Sequence, residues 1–167
     1  NKAIDINPEF VVAYLNRGFS HSRVGESEKA IADYTKAIEL NPRYAIAYYN
    51  RGFVYRRIGE YDRALVDFTK AIEINPKYVD AYNNRGLAYA SKGQYDNAIS
   101  DYNKALKINP RYIEAYNNRG NAYLNNGHYD SAISDYSKVV KIDSRYAVGY
   151  HNRGVAYTAK NQYDHAI

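Results

Sequence analysis

Apolar and small residues recur along this chain at helical spacing, in blocks separated by short polar turns. In the stretch Val79 to Tyr112, Tyr82, Gly86 and Tyr89 share one face at i, i+4 and i+7, and Lys92-Gly93-Gln94 then interrupts the pattern. Tyr95, Ala98, Ile99, Tyr102, Ala105 and Leu106 resume it, until Asn109-Pro110 closes it. The spacing predicts two amphipathic helices of about 14 residues, each about 20 Å long, facing one another. Small residues opposite large ones let such helices approach: Gly86 and Ala98 take the bulk of Tyr82, Tyr89 and Tyr102.

The whole pattern returns every 34 residues. Val11 to Tyr44, Ala45 to Tyr78, Val79 to Tyr112 and Ile113 to Tyr146 are complete copies; Ala147 to Ile167 begins a fifth, and Asn1 to Phe10 reads as the tail of an earlier one. Self-similarity at this period predicts an all-α solenoid, in which each unit buries its apolar face against its neighbours rather than in a central core. Gly25, Gly59, Gly93 and Gly127 stand where a left-handed helix cap is expected, with Asn161 in the fifth copy. Asp62, Asp96, Asp130 and Asp164 fall at the start of second helices, where a carboxylate suits the helix dipole. Pro42, Pro76 and Pro110 stop the second helix. Ser144 replaces that proline, so the junction between the fourth and fifth copies should be the least sharply defined.

Arg17, Arg51, Arg85, Arg119 and Arg153 form a column one turn from the Tyr82 column, beside the core stripe. An arginine so placed needs a partner, because an unpaired buried charge is costly. Asp33, Asp67, Asp101 and Asp135 recur beside the stripe of the second helix. The two columns are expected to ion-pair, within a repeat or across to the next; a row of arginines binding phosphates is the functional alternative.

Composition removes whole classes of chemistry. There is no Cys, so no disulfide, zinc-thiolate or thiol site is available. His21, His128, His151 and His165 are scattered without metal-ligand spacing, and His21 reads as a tyrosine substitute in a core. No Ser-His-Asp set or Gly-rich phosphate loop is present, so neither catalysis, cofactor nor metal is expected of this segment. No apolar run approaches the ~18 residues that would cross a bilayer, so no membrane partner is expected, and a cytoplasmic placement fits. The net charge of +5 and the 21 tyrosines would permit nucleic-acid binding. However, the basic residues are spread by the repeat and most tyrosines fall on core columns such as Tyr82, Tyr89, Tyr95 and Tyr102, which argues against it.

The order Tyr82, Gly86, Tyr89, Ala98, Tyr102, Ala105, Pro110 resembles the tetratricopeptide repeat, and the likeness covers essentially the whole chain. His21 for Tyr, Ser27 for Tyr and Val139 for Ala are departures, as is the arginine column where the family usually has leucine. The resemblance implies a right-handed superhelix of antiparallel helix pairs whose first helices line a concave groove. It further implies a scaffold that holds an extended peptide or a partner helix there. On that face Asn16, Asn50, Asn84, Asn118 and Asn152 form an unbroken column. It is similar to the asparagine ladders of some tetratricopeptide arrays, whose amides offer donor and acceptor to successive peptide groups. A contribution of these asparagines to local helix geometry is the alternative. Specificity then falls to the variable positions. Leu15, Phe19, Tyr49 and Phe53, with Arg23, Arg56 and Arg57 at the far end, make one half apolar and basic; Asn83, Asn117 and Asn121, with Asp80 and Glu114, make the other polar.

The expected ligand lays apolar side chains against Leu15, Phe19, Tyr49 and Phe53, with an acidic group near Arg56 or Arg57. Covering of this half by further repeats or a second chain is the competing reading. The chaperone-tail carboxylate clamp of the family needs lysines on this face, and the corresponding places hold Leu15, Tyr49, Asn83 and Asn117, or Val12, Ile46, Asp80 and Glu114, which argues against that partner. A structural spacer role is the other alternative. So is head-to-tail self-association, since the two end fragments together fall three residues short of a complete repeat.

Overall fold

The computed structural model describes residues 2–160; the expectations placed on Asn161, Asp164 and His165, and the end at Ile167 used in the self-association reading, lie outside the described residues. Among the described residues there are ten helices and no strand. They are α1 (Lys2–Ile6), α2 (Val11–Arg23), α3 (Ser27–Leu40), α4 (Ala45–Arg57), α5 (Tyr61–Ile74), α6 (Val79–Ser91), α7 (Tyr95–Ile108), α8 (Ile113–Asn125), α9 (Tyr129–Ile142) and α10 (Ala147–Ala159). Two compact units divide the chain, Asn1–Asn84 and Arg85–Ile167.

In the first unit α2 packs on α3, α3 on α4, and α4 on α5. Its core joins Tyr14 and Leu15 of α2, Ala30, Tyr34 and Ala37 of α3, and Ala47 and Val54 of α4. A second cluster joins Ala71 and Ile72 of α5 to Ala81, with Tyr48, Tyr49, Tyr78 and Tyr82 around it. In the second unit α7 packs on α8, α8 on α9 and α9 on α10, around Ala98, Tyr102 and Ala122, and around Ala132, Tyr136 and Ala156. The small-against-large rule is literal. A Cβ added to Gly86 would stand 2.7 Å from Tyr102 Cε1, and one added to Gly52 would stand 3.1 Å from the Phe68 ring.

The turn inside each pair ends in a left-handed glycine, with φ of +83° at Gly25, +85° at Gly59, +72° at Gly93 and +77° at Gly127. Around Gly93 the backbone closes a Schellman motif: Gly93 N donates to Ala90 O and Gln94 N to Tyr89 O, both at 2.9 Å. No atom lies within 4 Å of a Cβ built there, so the constraint is the dihedral angle and not space. Gly93→Ala is therefore expected to lower stability by about 1–2 kcal/mol, and Gly93→Asn by less; urea midpoints that do not move would refute this.

The junction carrying Ser144 differs from the expectation. α9 ends at Ile142 and α10 begins at Ala147, the same spacing as between α3 and α4, α5 and α6, or α7 and α8. The reason is an Asx turn that needs no proline. Asp143 Oδ1 accepts from Arg145 N at 2.9 Å, as Asn41, Asn75 and Asn109 accept from Arg43, Lys77 and Arg111 at 3.1 Å. Asp143 does what the asparagines do in the other junctions, and the turn is kept without the proline.

Candidate functional site

The arginine column is held inside the fold. Arg17 donates Nε and Nη2 to Asp33 at 2.8 and 2.6 Å, Arg51 to Asp67 at 2.8 Å twice, and Arg85 and Arg119 to Asp101 and Asp135 at 2.7 Å twice each. All four pairs lie within one repeat and use the planar fork of arginine on both carboxylate oxygens. The third nitrogen reaches backwards: Arg51 Nη1 donates to Thr35 Oγ1 at 2.9 Å, and Arg119 Nη1 to Asn103 Oδ1. Each of these arginines thus ties its own helix to the second helices on either side. Tyrosine rings flank the guanidinium, with Tyr48 and Tyr55 at 5.9 and 6.0 Å from Arg51, and Tyr116 and Tyr123 at 5.4 and 5.9 Å from Arg119. Hydrogen bonding to Asp67 raises the Arg51 guanidinium above its ordinary value. In the first copy His21 takes the place of the second tyrosine, half-buried, with Nδ1 2.5 Å from Glu26 Oε2.

The asparagine column does not behave as one row. Asn84 is 7% exposed, and its Nδ2 donates to Asp80 O at 2.9 Å and to Tyr49 OH at 3.3 Å. Both amide hydrogens are used within the first unit, so the expectation that Asn84 grips a ligand is corrected for its donor side. Asn152 Nδ2 donates to Asn117 Oδ1 at 2.9 Å in the second unit. In both cases the partner lies 35 residues earlier. First helices of successive copies sit side by side, and the asparagine of one meets the residue before the asparagine of the last. Asn121 is half-buried, and its Oδ1 accepts from Tyr136 OH at 2.7 Å, so its acceptor side is engaged inside the repeat. Asn83 is buried and Asn118 half-buried. Asn16 is exposed and Asn50 half-buried.

Leu15 is likewise corrected. It is 8% exposed and belongs to the core with Ala47 and Val54 of α4. Its position is the one that faces the following first helix, and there an aliphatic side chain packs where Tyr49 and Asn117 hydrogen-bond. Tyr49 itself is half-buried, its ring centroid 4.8 Å from Tyr78 and 5.9 Å from Phe68.

Between α2 and α4 of the first unit lies a cavity of about 230 Å³. Phe19, Ser22 and Arg23 of α2, Tyr34 of α3, and Tyr49, Asn50, Phe53 and Arg57 of α4 line it. Phe19 is 54% exposed although apolar. Arg56 turns aside, its guanidinium carbon 5.3 Å from the centre of the Phe53 ring, and is not in the lining. Burial pushes the Tyr34 phenol up to about 12, with the Asp33 charge adding to the shift and Arg57 opposing it. Burial does the same to Tyr49, also to about 12. Both hydroxyls are therefore neutral at physiological pH and able to donate. Ser22 and Tyr34 were not legible as ligand-facing, Tyr34 because it lies on a core column of its own helix. The signal for Tyr34 was available in the identity of Phe19, which sits where the fourth copy has Asn121.

Set against known proteins, these features are those of the tetratricopeptide repeat. Family profiles described as TPR repeat match residues 23–59 and 86–127, and others described as tetratricopeptide repeat match 45–78 and 113–146, and 68–100. The chain belongs to the tetratricopeptide repeat family. Among solved structures it is similar to YrrB, described as a TPR protein with an unusual peptide-binding site, at 32% identity and a TM-score of 0.81, over 99% of this chain and 86% of that one. A MamA crystal structure is 33% identical with a TM-score of 0.81, over 88% and 86% of the two chains. The first TPR of Spaghetti (RPAP3), solved with the HSP90 peptide SRMEEVD, is 26% identical with a TM-score of 0.68, over 70% and 93%. The comparison with curated proteins yields no match.

Proposed function

We propose that this chain is a protein-interaction scaffold whose first unit holds an extended peptide on the face of α2 and α4. The observation that carries the reading is the cavity walled by Phe19, Tyr49 and Phe53, an apolar recess that no side chain of the first unit fills. Asn16 and Asn50 stand along the same helices with no hydrogen bond to their amides among the described residues, which leaves them for peptide groups of a ligand. Peptide binding by the similar proteins YrrB and RPAP3 supports the class of ligand. Asn84, Asn117 and Asn121 act instead as links within the array.

Phe19→Ala and Phe53→Ala are the informative changes, since Tyr49 also packs on Tyr78 and accepts from Asn84. Each is expected to weaken binding of peptides selected on an array by tenfold or more, as truncating a central aromatic anchor commonly does. Circular dichroism should leave the fold unchanged. Peptides that bind both variants as well as the parent would refute the site, and an array on which no peptide binds would favour the spacer role.

A further inference from the structure

Tyr34 brings a hydroxyl into the cavity of the first unit. Its counterpart three periods later, Tyr136, gives its hydroxyl to Asn121 Oδ1. The residue corresponding to Asn121 is Phe19, which offers no acceptor. The Tyr34 hydroxyl therefore has no partner among the described residues, on a side chain that is 1% exposed and lines the cavity. The hydroxyl opens on the cavity space and can donate to what enters it. Arg23 and Arg57 line the same space, and neither meets a carboxylate among the described residues, since Asp33 is taken by Arg17. Arg57 lies close enough for its charge to act on the Tyr34 phenol. The cavity thus combines aromatic walls with the neutral donors Ser22, Tyr34, Tyr49 and Asn50 and the two cations Arg23 and Arg57, and no carboxylate lines it.

We infer that this cavity is a subsite for an acidic side chain of the bound peptide, glutamate before aspartate. Its carboxylate accepts from the Tyr34 hydroxyl and Arg57, with Arg23 at the rim, and its methylenes lie against Phe19 and Phe53. The inference rests on the peptide-binding reading above and names the residue that the site selects. A space of about 150 Å³ is enough for one benzene-sized group, so about 230 Å³ takes a single side chain with its carboxylate. The unpaired amides of Asn16 and Asn50 suit chain continuing past the cavity, which favours an internal residue over a terminus.

The test is an array of nonapeptides, capped at both ends, with Glu, Asp, Gln, Leu or Phe at the centre of randomised flanks, and a matching set with a free terminal carboxylate. The parent chain is expected to prefer Glu to Gln by about tenfold, the usual worth of a charge-assisted hydrogen bond. Tyr34→Phe and Arg57→Gln should bring that ratio close to one. Tyr34→Phe is structurally mild, because Phe68 fills the same position in the next copy. Equal binding of Glu and Gln peptides that still depends on Phe19 would overturn the acidic subsite and leave peptide binding standing. Binding confined to the free-carboxylate set would overturn the side-chain assignment in favour of a chain terminus. A Glu preference retained in Tyr34→Phe would remove Tyr34 from the site, and absence of binding by any peptide would remove both readings.

Discussion

Arg51→Met lowers the unfolding free energy by about 3–5 kcal/mol, the cost of leaving a buried carboxylate without its cation. Asp67 is 3% exposed, and both of its oxygens are held by Arg51, so no water replaces the lost donors without opening the helix pair. Thr35 loses its bond at the same time, which loosens α4 from α3 as well as from α5. The paired variant Arg51→Met with Asp67→Leu should recover most of the loss, because a well-packed apolar pair of similar volume commonly matches a buried ion pair. The usual leucine of the family at the arginine position points the same way. Urea denaturation followed by circular dichroism measures all three proteins. A single variant within about 1 kcal/mol of the parent would be typical of a surface pair and would show that the seam is solvated.

The helix pairs were legible in the sequence because the Tyr82, Gly86 and Tyr102 positions carry a packing requirement that repeats with the chain. Gly86 has to stay small because the Tyr102 ring lies against it. The arginine and aspartate columns could be read as partners, since a charge beside a core stripe has few ways to be satisfied. What the period could not convey is the lateral placement of one first helix against the next. A repeat length of 34 says nothing of the 35-residue offset at which Asn84 meets Tyr49 and Asn152 meets Asn117. For that reason Leu15, Asn84 and Asn117, which a single-helix wheel puts on one open face, serve contacts inside the array. The wall of the cavity, from Phe19 and Tyr49 to Phe53 and Arg57, was legible, but its floor was not. Its floor, Tyr34, is a core residue in every respect except its hydroxyl, and only comparison with the Tyr136 pair reveals that the hydroxyl lacks an acceptor.

Tyr136→Ala is expected to cost about 3–5 kcal/mol, the range for deleting a large buried aromatic ring. The ring is fully buried against Gly120, and its hydroxyl bond to Asn121 goes with it. Gly120→Ala tests the other side of the same contact. A Cβ there would lie 2.7 Å from Tyr136 Cε1 and 2.9 Å from Cζ, closer than carbon atoms tolerate, so the ring must shift inside a packed core. Overpacking of this kind costs about 1–3 kcal/mol, and the better helix propensity of alanine returns roughly 1 kcal/mol of it. With Tyr136 already removed, the added methyl enters the vacated space and loses its penalty. The double variant should therefore be more stable than the sum of the two single changes, with a coupling of about 1 kcal/mol or more. Strict additivity in a double-mutant cycle would mean that the Gly120 position is not held small by Tyr136. The glycine column would then need a cause other than the approach of the two helices.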